Sequence, residues 1–356
     1  MPSFSPLCLP ILIGSMPLAD HHEAADLVFQ ATPQIPVWAQ LPVHPHEGMV
    51  AQFAPGMPGL RHEPDRVYVD LAAKDFDDEL AAFYEDYLAV TEGGRPLESS
   101  RFALGEDTAG GFQVLKEKIE ALEAPPAAIK GQVTGPITFG LGLKDQQGRA
   151  VYYDPNARDA AEKLLALKAA YQVRTFQGVD CPVIVFLDEP ALAGFGSSEM
   201  ISISAHEIAA SLEEVNAAIH GEAGLAGIHV CANTDWGMVL GTSVDIVNFD
   251  TFSYFDRFLL YGEQVHAFIE RGGIIAWGLV PTGSTEALEA ATADDLVARW
   301  EGQCRELATL GIDPERLRSQ SLISPSCGVG SLTLAQAQKV LELTREVSAR
   351  IRGESW

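Results

Sequence analysis

The sequence has few cysteines, no long apolar run and a large deficit of basic residues. No segment of the 356 residues reaches the roughly 18 apolar residues that a membrane-spanning helix needs, so we expect no span. Five cysteines, an odd number without CxxC spacing, argue against a disulfide framework and favour a cytoplasmic protein with free thiols. A net charge of −25 repels phosphate and anionic lipid, so neither nucleic acid nor a membrane is expected as a partner.

Short apolar runs, each followed by a turn signal and a helical pattern, recur along the chain. Such runs are typical of strands buried on both faces of a parallel sheet. There are eight of them: Leu9–Ile13, Pro36–Leu41, Ala128–Val133, Val183–Leu187, Gly227–Val230, Val244–Phe249, Ile274–Leu279 and Leu322–Ser324. Their alternation with helices predicts the α/β class and a (β/α)8 TIM barrel, one domain over residues 1–356. A doubly wound open sheet is the structural alternative.

Helical patterns separate the predicted strands, and one connection is unusually long. The main predicted helices are Asp75–Val90, Ala160–Gln177, Ser204–Ala218, Ala293–Leu310 and Leu334–Ile351. Ser204, with Glu207 three residues later, has the capping-box pattern. Residues 43–126 separate strands 2 and 3, and we interpret them as a large insertion over the barrel mouth.

Polar residues follow several predicted strands, where a barrel places its catalytic groups. His229 and Cys231 are two apart, so on a strand both side chains face the same way. Cys327 ends the last predicted strand, and one imidazole with two thiolates suits Zn²⁺ with an open position for substrate. The plainer alternative is a hydrogen-bonded core histidine beside a small buried cysteine. Three further cysteines lack such a setting and are interpreted as structural: Cys8, Cys181 and Cys304.

Two further positions fit the binding of a charged substrate. Asp188 and Glu189 follow an apolar strand, and a carboxylate there can bind a substrate ammonium group. The alternative is an acid that favours a helix N-terminus, which suits Glu189 better than Asp188. Backbone amides around Gly14 and Ser15 can hold a substrate carboxylate, although an ordinary glycine turn explains them as well.

Taken together, these motifs resemble a known family. The pieces are Ile13-Gly14-Ser15, Thr134-Gly135-Pro136-Ile137-Thr138, Asp188-Glu189-Pro190-Ala191-Leu192, His229-Val230-Cys231, Asp250 and Cys327-Gly328. In this order and at similar spacing, they resemble the catalytic half of cobalamin-independent methionine synthase, within the uroporphyrinogen decarboxylase-like barrel superfamily. The resemblance covers nearly the whole chain and implies a zinc-dependent methyltransferase.

The resemblance also implies a set of metal ligands. His229, Cys231 and Cys327 would hold Zn²⁺. Asp250 is our fourth candidate ligand, because it stands where the family has a glutamate ligand. Its side chain is one methylene shorter than that of glutamate. Zinc would deprotonate a coordinating substrate thiol, whose pKa is otherwise roughly 8.5 or somewhat higher. The resulting thiolate would attack the methyl group of the donor.

The substrate that the resemblance implies is homocysteine. Asp188 would bind its amino group, and Ser15 with its neighbours Ile13 and Gly14 would contact its carboxylate. Glu47 is the nearest candidate for a second acid that helps to hold the amino group in the family. Asp188 and Asp250 are the candidate catalytic residues.

The methyl donor and the reaction class have alternatives. Full-length family members carry a further N-terminal barrel that helps to bind methyltetrahydrofolate polyglutamate. The resemblance to single-barrel relatives implies a methylated corrinoid protein as donor, which we expect as a partner. A methylcobamide:coenzyme M-type methyltransferase would share the zinc site but bind a sulfonate thiol. A uroporphyrinogen-type decarboxylase needs several arginines near its N-terminus, and the first arginine here is Arg61. A non-catalytic subunit with the same fold is a third alternative.

Overall fold

The computed structural model describes residues 4–63, 66–197 and 200–354, and strands in these ranges form two sheets. In chain order the strands are β1 (Leu9–Pro10), β2 (Leu60–Glu63), β3 (Arg66–Val69), β4 (Ile129–Thr134), β5 (Lys144–Asp145), β6 (Val183–Asp188), β7 (Leu225–Val230), β8 (Ile246–Phe249), β9 (Ile274–Val280) and β10 (Ser321–Pro325). Within the described ranges, seven strands form one curled parallel sheet in the order β1-β10-β9-β8-β7-β6-β4. A smaller sheet joins β2, β3 and β5.

At least one helix lies between each two consecutive strands of the parallel sheet. The helices are α1 (His21–Ala31), α2 (Met49–Phe53), α3 (Phe76–Thr91), α4 (Gly110–Glu120), α5 (Pro136–Gly142), α6 (Pro155–Thr175), α7 (Ala205–Gly221), α8 (Trp236–Leu240), α9 (Thr251–Leu259), α10 (Gly262–Glu270), α11 (Thr285–Ala290), α12 (Ala293–Ala308), α13 (Pro314–Ser319) and α14 (Leu334–Arg352). Among the helices described, none combines the length and the apolar character that crossing a bilayer would require.

The order of the strands follows the chain around the sheet. A doubly wound sheet reverses its strand order at a switch point, and the observed order has no such reversal among the described strands. The arrangement is consistent with a TIM-like fold. Seven of the eight predicted strands belong to this sheet, with ends shifted by a few residues.

The remaining predicted strand, Pro36–Leu41, forms only isolated β-bridges with its neighbours. Isolated parallel bridges join Gln40 to Ser15 and Val37 to Lys130, so the segment contacts both edges of the sheet. Its pairing is interrupted partly because Pro36 has no backbone N–H to donate to a ladder. The eight regular strands of the sequence prediction are therefore seven strands and one irregular segment in the described residues.

The core has two layers, one on each face of the curled sheet. Side chains on the outer face pack against the surrounding helices, as Val185, Val247 and Trp277 do. Side chains on the inner face form a smaller separate cluster that includes Phe186 and Ile246. The inner face also carries the polar residues described below.

The helix ends confirm part of the sequence prediction. Ser204 accepts a hydrogen bond from the backbone N–H of Glu207, whose side chain accepts from the backbone of Ser204 in return, so the predicted capping box is present at α7. On α14 one apolar stripe is buried, and it consists of Val340, Leu343, Val347 and Ile351.

The long segment 43–126 holds α2, α3, α4 and the antiparallel pair β2–β3. The Thr134 hydroxyl, at the end of β4, donates to the backbone oxygen of Met49 at 2.7 Å, so the start of this segment lies against the carboxyl end of the sheet. Further along, α4 packs closely on the irregular segment: a Cβ added at Gly111 would lie 1.9 Å from the Ala39 carbonyl oxygen.

This close approach predicts opposite effects for two Gly→Ala substitutions in helices. Gly111→Ala would push the backbone of α4 away from the carbonyl group of Ala39. It should lower the free energy of unfolding by about 2 kcal/mol or more, as overpacking does. Gly302→Ala is the matched control, because its Cβ would approach only the flexible Arg305 side chain, at 3.9 Å. Since alanine is the better helix former, Gly302→Ala should stabilise by up to about 1 kcal/mol. Urea unfolding measures the free energy of unfolding of both variants. Equal values for Gly111→Ala and Gly302→Ala would contradict the close packing of Gly111.

Candidate metal centre

One row of aligned residues crosses the carboxyl end of the parallel sheet. Thr134, Asp188, His229, Asn248 and Ala276 are successive register partners from β4 to β9. Directly paired residues in a parallel sheet point to the same face, so these side chains share the inner face. Four of the five are polar, and they lie at the end of the sheet where barrels carry their active sites.

His229, Cys231 and Cys327 come together beside this row. The Cys231 sulfur lies 3.3 Å from His229 Nε2 and 3.4 Å from the Cys327 sulfur. All three potential ligand atoms lie within 4.8 Å of one another. His229 is buried and both cysteines are half-buried. One imidazole nitrogen and two sulfurs fit a divalent metal of the zinc type, with a position left for another ligand.

The two thiols of this group differ strongly in their pKa values. The hydrogen bond with Cys231 is the main cause that lowers the pKa of Cys327, to about 4. The same hydrogen bond, with burial, raises the pKa of Cys231. The cysteines interpreted as structural behave otherwise: burial raises the pKa of Cys8 to about 12 and that of Cys181 to about 11, and it also raises the pKa of Cys304. The directions of these shifts favour Cys327 as the thiolate of this group.

Asp188 presents an unpaired carboxylate oxygen next to the candidate metal-binding group. The residue is 8% exposed, and within the described residues its Oδ1 atom has no hydrogen-bond partner. Burial raises the pKa of Asp188 to about 6, against the lowering effect of Lys130 and His229. A buried carboxylate oxygen without a partner is costly, and a cationic substrate group would satisfy it.

Lys130 is a buried cation that the sequence analysis did not identify, because its strand was interpreted as an apolar run. Its ammonium group donates to the Ile13 carbonyl at 2.6 Å and to Gln132 Oε1 at 3.3 Å. It also lies 4.5 Å from the centre of the Phe186 ring. Burial lowers the pKa of Lys130 to about 8, while the charge of Asp188 raises it.

Glu189 stabilises the start of α5, as its alternative interpretation predicted. Its fully buried carboxylate accepts from the backbone N–H groups of Ile137 and Thr138 at 2.9 and 2.8 Å, and from the Thr138 hydroxyl at 2.6 Å. Gly135 has to be small, since a Cβ there would lie 2.3 Å from this carboxyl group. Glu189 is therefore a helix-capping acid.

Asp250 and Glu47 have partners within the fold. Asp250 is the N-cap of α9 and accepts from Ser253 N at 2.9 Å; it is outside the three-residue candidate group. The buried carboxylate of Glu47 contacts His21 Nε2 at 2.6 Å and accepts from Leu41 N at 2.9 Å. Metal ligation by Asp250 and amino-group binding by Glu47 stay predictions.

The Ile13-Gly14-Ser15 turn lies against the loop that follows Cys327. Gly14 has a φ of +145°, and a Cβ there would lie 2.9 Å from Gln132 Nε2. The Ser15 hydroxyl accepts from the backbone N–H of Gly330 at 3.3 Å. The turn therefore adjoins the loop after Cys327, and its contact with a substrate carboxylate stays a prediction.

The comparisons with known proteins give a structural likeness without a sequence match. No protein-family model and no curated protein matches the chain. A solved methyltransferase from Methanosarcina mazei is similar in structure, with a TM-score of 0.53, 13% identity, and coverage of 91% of this chain and 84% of that one. A structure of the tandem GH20 catalytic modules of a pneumococcal exo-β-D-N-acetylglucosaminidase has a TM-score of 0.45, 8% identity and coverage of 96% and 85%. At this identity the first likeness shows a shared fold.

The thiol pKa values predict a pH-dependent difference in reactivity. In metal-free protein, Cys327, with a pKa of about 4, is already a thiolate at pH 6, so its alkylation rate by iodoacetamide should stay nearly flat to pH 8. Cys181, with a pKa of about 11, is the internal control, and its rate should rise about tenfold per pH unit. Peptide mass spectrometry measures both rates. A tenfold rise per unit at Cys327 would show that its pKa is not lowered.

Proposed function

We propose that the chain is a zinc-dependent methyltransferase that methylates a small thiol, with homocysteine as substrate and methionine as product. The observation that carries this proposal is the convergence of His229, Cys231 and Cys327 at the carboxyl end of the parallel sheet. The fold shared with a methyltransferase supports the reaction class. The motif resemblance to the methionine synthase family supports the substrate.

The donor atoms suit the chemistry that the reaction needs. Bound zinc would supply a Lewis acid that lowers the pKa of a coordinating thiol, which is otherwise roughly 8.5. During transfer the substrate sulfur forms a bond to the methyl carbon while the bond between that carbon and the donor breaks. The electron pair of the broken bond stays with the donor, and the proton of the thiol has already left to solvent.

The charges near the site favour an amino-acid thiol over a sulfonate thiol. The free Oδ1 atom of Asp188 can accept a hydrogen bond from a substrate ammonium group, and the in-register neighbour of Asp188 is the metal-binding His229. A sulfonate would meet this carboxylate with like charge. For the methyl donor we propose a methylated corrinoid protein, and this part rests on the resemblance to single-barrel relatives.

Metal analysis of purified protein tests the zinc proposal. Wild type should hold about one zinc per chain, and Cys327→Ser should lose most of it because one of three protein ligands is gone. Cys304→Ser is the matched control, since Cys304 lies on α12 outside the metal-binding group. Zinc-free wild type, or equal zinc loss in both variants, would refute the assignment of the ligands.

A methyl-transfer assay tests the reaction and the substrate. Homocysteine and coenzyme M are each combined with methyltetrahydrofolate and methylcobalamin, and we expect turnover with homocysteine and methylcobalamin. Asp188→Asn should raise KM for homocysteine about 10- to 100-fold, the value of one charge-assisted hydrogen bond. Asp294→Asn, at an exposed surface ion pair, is the control. No turnover with any pair would argue for the non-catalytic alternative or another thiol.

A further inference from the structure

Asn248 is fully buried at the centre of the inner face, and both the oxygen and the nitrogen of its side-chain amide have hydrogen-bond partners. Its Oδ1 atom lies 2.5 Å from His229 Nδ1. Its Nδ2 group donates to the Ala276 carbonyl at 2.8 Å and to the Ser324 hydroxyl at 2.7 Å. These contacts join β7, β8, β9 and β10, so one side chain connects four consecutive strands of the sheet.

The orientation of this amide follows from the partners themselves. The Ala276 carbonyl can only accept, so the atom of Asn248 that faces it has to be the NH₂ group. The other end of the amide, which faces His229, is then the oxygen. Because an amide oxygen only accepts, His229 Nδ1 has to carry a proton and donate it.

The remaining nitrogen of His229 then faces the metal-binding group. With the proton on Nδ1, the Nε2 atom of a neutral imidazole carries a lone pair, and Nε2 is the atom that lies 3.3 Å from the Cys231 sulfur. Metal-binding histidines commonly have such an outer partner, which sets the tautomer and the ring orientation.

We propose that Asn248 is a positioning residue that selects the Nδ1–H tautomer of His229 before any metal binds. The metal-binding nitrogen is therefore ready in the metal-free protein, and no rearrangement of the ring accompanies metal uptake. Ser324 supports this role, since its hydroxyl accepts from Asn248 three residues before Cys327, the third proposed ligand. The inference rests on the proposed metal site and is independent of which group is transferred.

The decisive test reads the tautomer of His229 in metal-free wild-type protein. Long-range ¹H–¹⁵N spectra of ¹⁵N-histidine protein distinguish the two tautomers, and the His229→Gln spectrum identifies the His229 signals. We expect Nδ1–H in wild type and a mixture of tautomers in Asn248→Ala. Asn248→Asp, which keeps an acceptor oxygen toward His229, should restore Nδ1–H. An Nε2–H tautomer in the wild type would overturn the inference.

Zinc affinity gives a second readout, measured by competition with a chromophoric chelator. Asn248→Ala should weaken binding about 10- to 100-fold, as loss of an outer partner usually does. Ser321→Ala is the matched control: it removes a buried hydroxyl of β10 that accepts from Trp277 Nε1 on the outer face, and zinc affinity should stay unchanged. Folded Asn248→Ala with wild-type affinity would overturn the inference.

These outcomes separate the inference from the proposed function. If Asn248→Ala does not fold, as circular dichroism would show, the wild-type tautomer alone decides. A protein that shows the Nδ1–H tautomer and binds zinc, yet transfers no methyl group to a thiol, would refute the proposed reaction and leave the role of Asn248 standing.

Discussion

The parallel register of β4, β6, β7, β8 and β9 is the constraint on which the candidate site depends. It aligns Asp188, His229 and Asn248 in one row on the inner face of the sheet. Phe186 fills the layer beneath, and its neighbour has to be Gly227 because a Cβ there would lie 2.1 Å from the Phe186 ring. A slip of one residue would turn every one of these side chains to the opposite face.

The polar side chains of the inner face differ in how many hydrogen-bond partners the fold gives them. Asn248 has partners at both ends of its amide, and the Lys130 ammonium donates to two acceptors. The Oδ1 atom of Asp188 has none within the described residues. Leaving a buried acceptor unpaired costs about 1–3 kcal/mol, and such a cost is tolerated where a ligand completes the hydrogen bond. This contrast supports the proposal that Asp188 binds the substrate.

Much of this arrangement could be predicted from the chain, because strand ends and the His229-x-Cys231 spacing are local patterns. The roles of Lys130 and Asn248 could not, since they depend on which residues of neighbouring strands align. The capping of α9 by Asp250 follows from a local rule, because a short acid before a helix bonds readily to the free N–H groups there, and its ligation of a metal stays a prediction. The irregular pairing of Pro36–Leu41 was missed because apolar periodicity does not report hydrogen-bond continuity.

The central claim is that His229, Cys231 and Cys327 hold a zinc ion to which a thiol substrate binds. X-ray absorption at the zinc edge tests it most directly, because zinc–sulfur distances of about 2.3 Å and zinc–nitrogen distances of about 2.0 Å are readily separated. The account predicts two sulfur ligands and one imidazole nitrogen per zinc in the purified protein, and a third sulfur after homocysteine is added. A sulfur count below two, or one unchanged at saturating homocysteine, would contradict it.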